Sequence, residues 1–310
     1  LDTSGCYIPG HGTPTVILFG RNQLPLAPSI RTVLGIKGEP ATPTDPAQGL
    51  VWTAILNQID QPGLTSEWVS AADSERSKFH KHPWSIGGGG AAELKEVISC
   101  NDENSVLNSK IDGISIGAVT LEDEAYSLGR AICRLSSGRE TTRVLTEGDN
   151  LRDWDCNSEQ GIVFPYNSST GGPCISDAMV KILWPMKTGL RNRVWFRKTQ
   201  DQRSMHWWEY GFLSKDVMEL KRSITFPFVA THNHFVLDRG GKVFKQTAPV
   251  IKLPADATEA DHLTLLGLLN SSTACFWGRQ VLFSKRGDPV GRWGEFIEWD
   301  GTKLQQFPIP

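Results

Sequence analysis

Cationic and aromatic side chains alternate through residues 181–210, with Trp184 and Trp195 set among arginines and lysines. Guanidinium groups pair with phosphates and read guanine edges, while aromatic faces pack against sugars or bases. A solvated helix face above a tryptophan-rich core is the competing interpretation. The residues that we expect to contact nucleic acid here are Arg191, Arg193, Arg197, Lys198, Arg203, Trp207 and Trp208.

A second basic cluster lies near the end of the sequence and contains Arg279, Lys285, Arg286 and Arg292. We expect Lys285 and Arg286 to form a second contact patch. The whole chain has 32 Lys and Arg against 34 Asp and Glu, a net charge of −2. This balance excludes a uniformly basic nucleic-acid coat, but it averages an acidic stretch over residues 93–124 with the two basic ones.

The two histidines of Thr231-His232-Asn233-His234 are candidates for metal binding. A zinc site needs three or four protein ligands. Asp238 and His262 could complete the set only if the fold is assumed to bring them close to the two histidines. We therefore expect both histidines to hydrogen-bond to neighbouring loops, and we expect no metal. The six cysteines are scattered without a Cys-x-x-Cys pair, which argues against a zinc ribbon.

Carboxylates and glycines give two further patterns of low specificity. Asp149, Asp153 and Asp155 surround Trp154, and loop carboxylates that pair with Arg152 are favoured over an acid–base pair. Four glycines at 87–90 precede a helix pattern without a following Gly-Lys-Ser/Thr, so a tight turn is favoured over a phosphate loop. No Gly-x-Ser-x-Gly motif indicates a serine hydrolase.

Hydrophobic periodicity predicts the elements that position these residues. The predicted strands are Cys6–Pro9 paired with Thr15–Phe19, then Ile30–Ile36, Glu67–Ser70, Phe228–Ala230 and Val250–Leu253. The predicted helices are residues 48–59, Ala91–Ser99 with Leu94, Val97 and Ile98 inward, and Asp261–Phe276. Asp73 is expected to cap a short helix. The sequence contains no apolar run long enough for a membrane span.

Several segments resemble DNA-modifying enzymes when they are taken in order. Gly10–Phe19 resembles the last hairpin of class I, S-adenosylmethionine-dependent adenine DNA methyltransferases. Residues 147–154 followed by Phe164-Pro165-Tyr166 resemble a recurrent element of restriction-type recognition regions, and Leu265–Ser272 resembles another. Together with Val229–Gly241, the set is similar over nearly the whole chain to PglX-type methyltransferases of BREX phage-defence systems.

The resemblance implies a site-specific adenine N6 DNA methyltransferase that uses S-adenosylmethionine in phage defence or restriction-modification. Double-stranded DNA would be its partner in the bacterial cytoplasm, with other defence-system proteins as further partners. The chain begins at Leu1 and contains neither the glycine-containing cofactor loop nor the Asn/Asp-Pro-Pro-aromatic tetrapeptide. We therefore expect a fragment that is inactive alone and whose cofactor binds mainly to an upstream part. Tyr7 aligns near the position that stacks on the flipped base.

The implied fold class is α+β, with the end of a class I methyltransferase (Rossmann-like) sheet followed by a mixed α/β target-recognition domain. The expected division is terminal methyltransferase strands at 1–36, a mixed helical spacer at 37–104 and the recognition domain at 105–310. A non-catalytic DNA-specificity module is one alternative. The other is a carbohydrate-binding protein, because the chain has 11 Trp against 4 Tyr. Exposed tryptophan faces beside a carboxylate pair would favour sugars.

Overall fold

The computed structural model describes residues 1–11, 14–80, 84–99, 105–129, 141–156, 158–168, 170–286 and 295–310. The strands of these ranges are β1 Ser29–Gly35, β2 Val69–Glu75, β3 Gly113–Ser115, β4 Ala118–Val119, β5 Ser127–Gly129, β6 Thr142–Thr146, β7 Leu151–Arg152, β8 Asp155–Cys156, β9 Gln160–Val163, β10 Val194–Trp195, β11 Lys198–Thr199, β12 Phe212–Leu213, β13 Ser223–Thr225, β14 Val229–Ala230, β15 Val236–Asp238, β16 Lys242–Phe244, β17 Val250–Lys252, β18 Phe283–Arg286 and β19 Glu295–Glu298. The α-helices are Leu50–Gln58, Ala91–Ser99, Asp123–Tyr126, Asp177–Leu183, Lys187–Asn192, Lys215–Met218, Glu259–Leu269, Ser272–Val281 and Gly301–Leu304.

Helices alternate with several small sheets along the chain, which agrees with the predicted mixture of α and β elements. The described residues divide into two compact units. The first comprises residues 1–107, 230–232 and 272–310, and the second comprises 108–229 and 233–271. Among the described residues, none of the helices combines the length and apolar character that crossing a membrane requires.

The antiparallel pair β1 and β2 forms the main ladder of the first unit. The helix Leu50–Gln58 buries Val51 and Ile55, four residues apart on one face. Both side chains pack against buried valines of the two strands. The strand predicted at 30–36 and the helix predicted at 48–59 are confirmed, with ends shifted by one or two residues.

Asp73 lies inside β2, so its predicted role as a helix cap is wrong. Its carboxylate sits opposite Arg31 in the ladder and accepts a hydrogen bond from Arg31 Nε at 2.6 Å. This bond holds the pKa of Asp73 below its usual value. The strand predicted at 67–70 overlaps β2 only at its last two residues, because pairing with β1 extends it to Glu75.

The hairpin predicted at the start of the chain is wrong in one of its two strands: Thr15–Phe19 pairs with a segment other than Cys6–Pro9. Thr3 N donates to Thr15 O at 3.0 Å and Ile17 N donates to Leu1 O at 2.9 Å, so residues 1–3 pair with 15–17. The segment Cys6–Pro9 is not that partner. Pro9 lacks an amide hydrogen and is poorly suited to a ladder. Residues 12 and 13, between the two predicted strands, lie outside the described residues.

The glycines at 87–90 form the predicted tight turn. Gly88 N donates to Gly35 O at 2.8 Å, and a Cβ on Gly88 would lie 2.6 Å from Leu34 O, so only glycine fits this close backbone approach. The following helix, Ala91–Ser99, is confirmed, but its predicted inward face is wrong. Leu94 and Val97 are 49% and 70% exposed and Ile98 is half-buried, while Ala92 is the buried residue of this helix.

The core of the second unit is built mainly on the four-stranded sheet ordered β16-β6-β9-β5. β16 runs parallel to β6, and the other neighbours are antiparallel. Leu183 and Leu190 come from the two helices of the basic stretch and are fully buried in this core with Tyr126 and Tyr210. The apolar side chains of the two helices therefore anchor the basic stretch to the core of the second unit.

The helix predicted at Asp261–Phe276 is two helices, the first ending at Leu269 and the second beginning at Ser272. Asn270 ends the first one by pairing its side-chain amide with both backbone polar groups of Phe235, at 2.9 and 2.8 Å. Asn233 donates to Leu269 O at 2.7 Å and satisfies a carbonyl at the same helix end. Asn233 also donates to Ser271 O at 3.1 Å, so the backbone carbonyls at the break are satisfied without a continuous helix.

Candidate nucleic-acid interface

The basic stretch folds as a chain of short elements in the second unit. Ser176 caps the first helix by accepting a hydrogen bond from Met179 N at 3.3 Å. A 3₁₀ turn, Trp184–Met186, contains Pro185 and leads into the helix Lys187–Asn192, and the hairpin β10–β11 follows. This arrangement brings several cations and aromatic rings to the surface of one unit.

Four cations of the stretch are exposed: Lys181, Arg191, Arg197 and Lys198. Arg191 Nε lies 2.6 Å from a carboxylate oxygen of Asp201, and both side chains are at least half exposed. Ion pairs in this setting are weak because water and salt screen them. Arg191 can therefore exchange Asp201 for a phosphate at little cost.

Trp184, Trp207 and Lys187 form an aromatic cluster with one cation over it. The Lys187 ammonium lies 4.1 Å from the ring centroid of Trp184 and 5.6 Å from that of Trp207. The two rings meet edge to face at 6.2 Å, and Trp184 is 56% exposed. Trp207 is half-buried, and its predicted contact stays a prediction. The alternation of cations with aromatics indicated the region, but Trp184 and Lys187 were not among the predicted contact residues.

Arg193 is the main correction to the predicted contact residues. Its side chain is buried, and its guanidinium donates to the carbonyl oxygens of Leu190, Thr120, Trp207 and Glu209. Four backbone acceptors occupy the donors that a phosphate or a base would need. Arg193 therefore holds the unit together and is not a DNA contact in this structure.

Trp208 and Arg203 also make their contacts within the protein. Trp208 is buried, and its ring stacks on His206 with the ring centroids 4.9 Å apart. Its predicted contact with a base is corrected, because the ring has no open face. Arg203 is half-buried and donates to Gln200 Oε1 at 3.2 Å and to Gly211 O at 2.6 Å. Through these two bonds Arg203 supports the segment that follows the hairpin.

Three tyrosines fix the same 206–211 segment from below. The Tyr126 hydroxyl donates to Trp208 O at 3.0 Å, and the Tyr166 hydroxyl accepts from Tyr210 N at 2.6 Å. Burial raises the pKa of Tyr126 to about 12, so the phenol keeps its proton and remains a donor at neutral pH. The base of the candidate surface is thus a rigid hydrogen-bonded platform.

The second basic patch lies in the first unit. Lys285 is half-exposed on β18 and its ammonium lies 2.8 Å from a carboxylate oxygen of Glu298 on β19. Arg286 lies on the same strand, and its side chain, like the whole of Arg292, falls outside the described residues. Tyr7 is half-buried. The roles expected for Lys285, Arg286 and Tyr7 stay predictions.

The carboxylates near Trp154 behave as loop residues. Arg152 lies 3.8 Å from Asp149, as predicted. Glu147 and Asn150 cap each other's backbone reciprocally at the start of the motif. A Cβ on Gly148 would lie 2.5 Å from Thr247 O, which explains the glycine. No acid–base pair is formed by these described carboxylates, each of which is used in the turn or faces solvent.

His234 makes the loop contact that the sequence predicts. It is buried, and its Nδ1 faces Asp153 N at 3.3 Å and the Asp153 carboxylate at 3.7 Å. His232 Nδ1 lies 2.9 Å from its neighbour Thr231 Oγ1. The Thr231–His234 segment is irregular and not a strand, because β14 ends at Ala230.

Two of the second unit's hairpins end in unusual turns. Each has a two-residue loop in which both residues have positive φ: Asp153 and Trp154 at +50° and +71°, and Phe196 and Arg197 at +49° and +65°. Positive φ at both loop positions defines a type I′ turn, which normally carries Asn-Gly or a similar pair. Both turns hold an exposed aromatic ring on a non-glycine backbone.

Comparison with known proteins identifies a methyltransferase relative. The chain is similar over its entire length to an adenine-specific methyltransferase. This relative is adenine-specific methyltransferase PglX of Streptomyces coelicolor (strain ATCC BAA-471 / A3(2) / M145), which is 43% identical over 326 aligned positions. The alignment covers 100% of this chain and 27% of the relative, so the chain spans about a quarter of that protein's length. The predicted resemblance to PglX-type methyltransferases is confirmed.

A comparison of structures finds the Type IIL restriction-modification enzyme MmeI in complex with DNA. The sequence identity is 12% and the TM-score is 0.45, over 64% of this chain and 25% of MmeI. No family model matches the chain.

Proposed function

We propose that this chain is the DNA-reading part of a site-specific adenine N6 DNA methyltransferase of phage-defence or restriction-modification type. The observation that carries the proposal is the 43% identity to PglX along the whole chain. S-adenosylmethionine would be the methyl donor, bound mainly by parts of the protein other than these residues. The target adenine would have to leave the duplex stack before methyl transfer.

The exposed cations of the basic stretch support this assignment physically. Arg191, Arg197 and Lys198 are positioned for phosphate contacts, which supply most of the salt-dependent affinity for DNA. Trp184 and Trp207 offer aromatic surface beside them. The Lys187 ammonium lies over both rings, which favours a polyanion over a neutral sugar.

The functional division of the chain is part of the same proposal. Residues 1–36 would end a class I methyltransferase sheet, 37–104 would be a spacer, and 105–310 would read the target. This division follows the sequence, whereas the two compact units are a geometric description. Double-stranded DNA in the bacterial cytoplasm and other defence-system proteins complete the proposed setting.

The binding test uses a fluorescein-labelled mixed-sequence duplex of about 30 base pairs, titrated by anisotropy between about 50 and 200 mM salt. The double variant Arg197→Gln, Lys198→Gln should weaken binding and flatten the salt dependence by up to about two charges. The matched control is Lys110→Gln, Lys221→Gln, which removes two exposed cations of the same unit outside the basic stretch. Equal losses in both variants would mean that the basic stretch has no special role.

Catalysis is tested separately by transfer of a labelled methyl group from S-adenosylmethionine to plasmid DNA. The sequence contains no Asn/Asp-Pro-Pro-aromatic tetrapeptide, so the chain alone should transfer none while it still binds duplex. Methyl transfer by the chain alone would overturn its assignment as a recognition part. If the chain binds duplex and transfers no methyl group, non-catalytic DNA recognition is the accurate description of these residues in isolation.

A further inference from the structure

The tip of the β10–β11 hairpin presents an aromatic ring to solvent on a constrained backbone. Phe196 is 83% exposed and, with Arg197, forms the two-residue turn at positive φ. The ring of Trp195 lies edge-on to it, with the ring centroids 4.9 Å apart. Local sequence preference would place Asn-Gly at such a turn, so a bulky ring and a guanidinium here need another explanation.

The base of this hairpin is held rigidly. Thr199 N donates to Gln202 Oε1 at 2.9 Å, just after β11 begins. Gln200 is completely buried and donates to Glu209 O at 2.9 Å. The buried guanidinium of Arg193 precedes β10 and joins the same carbonyl. A tip on a fixed base loses little conformational freedom when it binds, which is what an inserting element requires.

The surroundings of the ring are cationic. Arg197 shares the turn with Phe196, and Lys198 follows directly; both side chains are exposed. Among the described residues, no ion pair neutralises either cation. An apolar ring flanked by free cations is complementary to a base stack bordered by phosphates, and a protein partner of ordinary composition offers no such pattern.

We propose that Phe196 is a wedge that inserts between neighbouring base pairs of duplex DNA, while Arg197 and Lys198 bind the phosphates on either side. This inference rests on the proposed DNA-binding function and adds a specific residue and mode of contact to it. Insertion of an apolar side chain partly unstacks one step and kinks the duplex. The gain is burial of a ring that is otherwise almost wholly in water.

Two measurements on the full chain test the wedge. Phe196→Ala should weaken binding to the labelled duplex about tenfold, as for loss of one aromatic–base stack, without changing the salt slope. Arg197→Gln should instead lower the salt slope by about one. The matched control is Phe19→Ala, which removes a ring of equal exposure (81%) from the first unit and should leave affinity unchanged.

Unwinding provides a readout that simple surface contact would not change. Closed circular plasmid is relaxed by topoisomerase I with saturating protein, and the linking number is measured after protein removal. Wild type should shift the linking number, and Phe196→Ala at saturation should not. The double variant Phe196→Asn, Arg197→Gly keeps a favoured type I′ turn, so it should fold normally, lose unwinding and bind weakly.

The outcomes separate this inference from the function on which it rests. If wild type binds duplex but Phe196→Ala binds and unwinds equally well, the wedge is wrong and DNA binding stands. If wild type does not bind the duplex at low salt, both proposals fall.

Discussion

The two type I′ hairpin tips of the second unit differ in what surrounds an exposed aromatic ring. Trp154 is 59% exposed, and its turn partner Asp153 is tied to buried His234 through its backbone amide at 3.3 Å. Phe196 is 83% exposed, and among the described residues no hydrogen bond ties its turn partner Arg197 to the protein. Both turns are at the surface, but the first is tied to a buried side chain of the unit and the second is not.

Charge distinguishes the tips further. Asp149, Asp153 and Asp155 are exposed around Trp154, whereas Arg197 and Lys198 border Phe196. Phosphates are repelled by the first tip and attracted by the second. Positive φ at non-glycine residues costs about 1–3 kcal/mol per residue, so it persists where the structure or the function compensates it. The contrast teaches that the same local strain serves structure at one tip and, on our proposal, recognition at the other.

The largest predicted effect concerns the support below the second tip. Arg193→Ala leaves the carbonyls of Thr120 and Glu209 without their charged donor, and should destabilise the unit by about 3 kcal/mol. Urea unfolding at neutral pH measures it. Arg191→Ala, two residues away, removes only an exposed ion pair and should change stability by less than about 0.5 kcal/mol. Similar losses in the two variants would contradict the structural assignment of Arg193.

Alanine at each ring tests the comparison directly. Phe196→Ala should reduce duplex affinity about tenfold, while Trp154→Ala should change it less than about twofold, because phosphates avoid the acidic tip. Anisotropy with the same labelled duplex measures both. A larger loss for Trp154→Ala would reverse the roles that we assign to the tips.

Replacement of each turn by Asn-Gly measures the strain that each retains. Phe196→Asn, Arg197→Gly should raise the stability of the chain by about 1 kcal/mol, because the new pair adopts positive φ readily. Asp153→Asn, Trp154→Gly should raise the stability by less, because it also removes the Asp153 carboxylate that lies 3.7 Å from His234 Nδ1. Thermal melts of the two variants provide the measurement, and equal gains would mean that the tips are equally strained.

Acid should weaken the ion pairs of Lys245, which bind Asp123 and also Glu147 at the start of the segment that leads to the first tip. Burial raises the pKa of Asp123, but hydrogen bonds from Lys245 and Thr120 outweigh it, so the pKa lies below its usual value. The same Lys245 binds Glu147 at the start of the segment that leads to Trp154. The stabilisation from Asp123 is therefore full above its unfolded pKa, about 3.9, and is lost as pH falls through the lower folded pKa.

The predicted size of this acid effect is small. Wild type should lose less than about 1 kcal/mol on this account, since Asp123 is partly exposed to solvent. Urea midpoints between about pH 5 and pH 3 should fall less steeply for Asp123→Asn than for wild type. Asp256→Asn, at an exposed loop position, is the control and should follow wild type. Parallel curves for all three proteins would contradict the role of the Lys245 ion pair.

Local patterns predicted part of the fold well. The alternation at 30–36 and the apolar spacing at 48–59 correspond to β1 and Leu50–Gln58, because each pattern matches the period of its element. The face of Ala91–Ser99 and the continuity of 261–276 were not predictable in this way. Leu94 is exposed, and Asn270 ends a helix by binding the backbone of Phe235, 35 residues away in sequence.

The sequence by itself determined the segregated charge, the basic and aromatic stretch and the resemblance to PglX-type methyltransferases. Only the tertiary structure decided which cations of that stretch reach solvent. Arg191 and Arg193 are two residues apart and carry the same charge, yet one is exposed and the other is buried. The difference arises because a guanidinium can be buried only where acceptors meet it, and Thr120 O comes from 73 residues away. Such acceptors are assembled by folding and leave no local signal in the sequence.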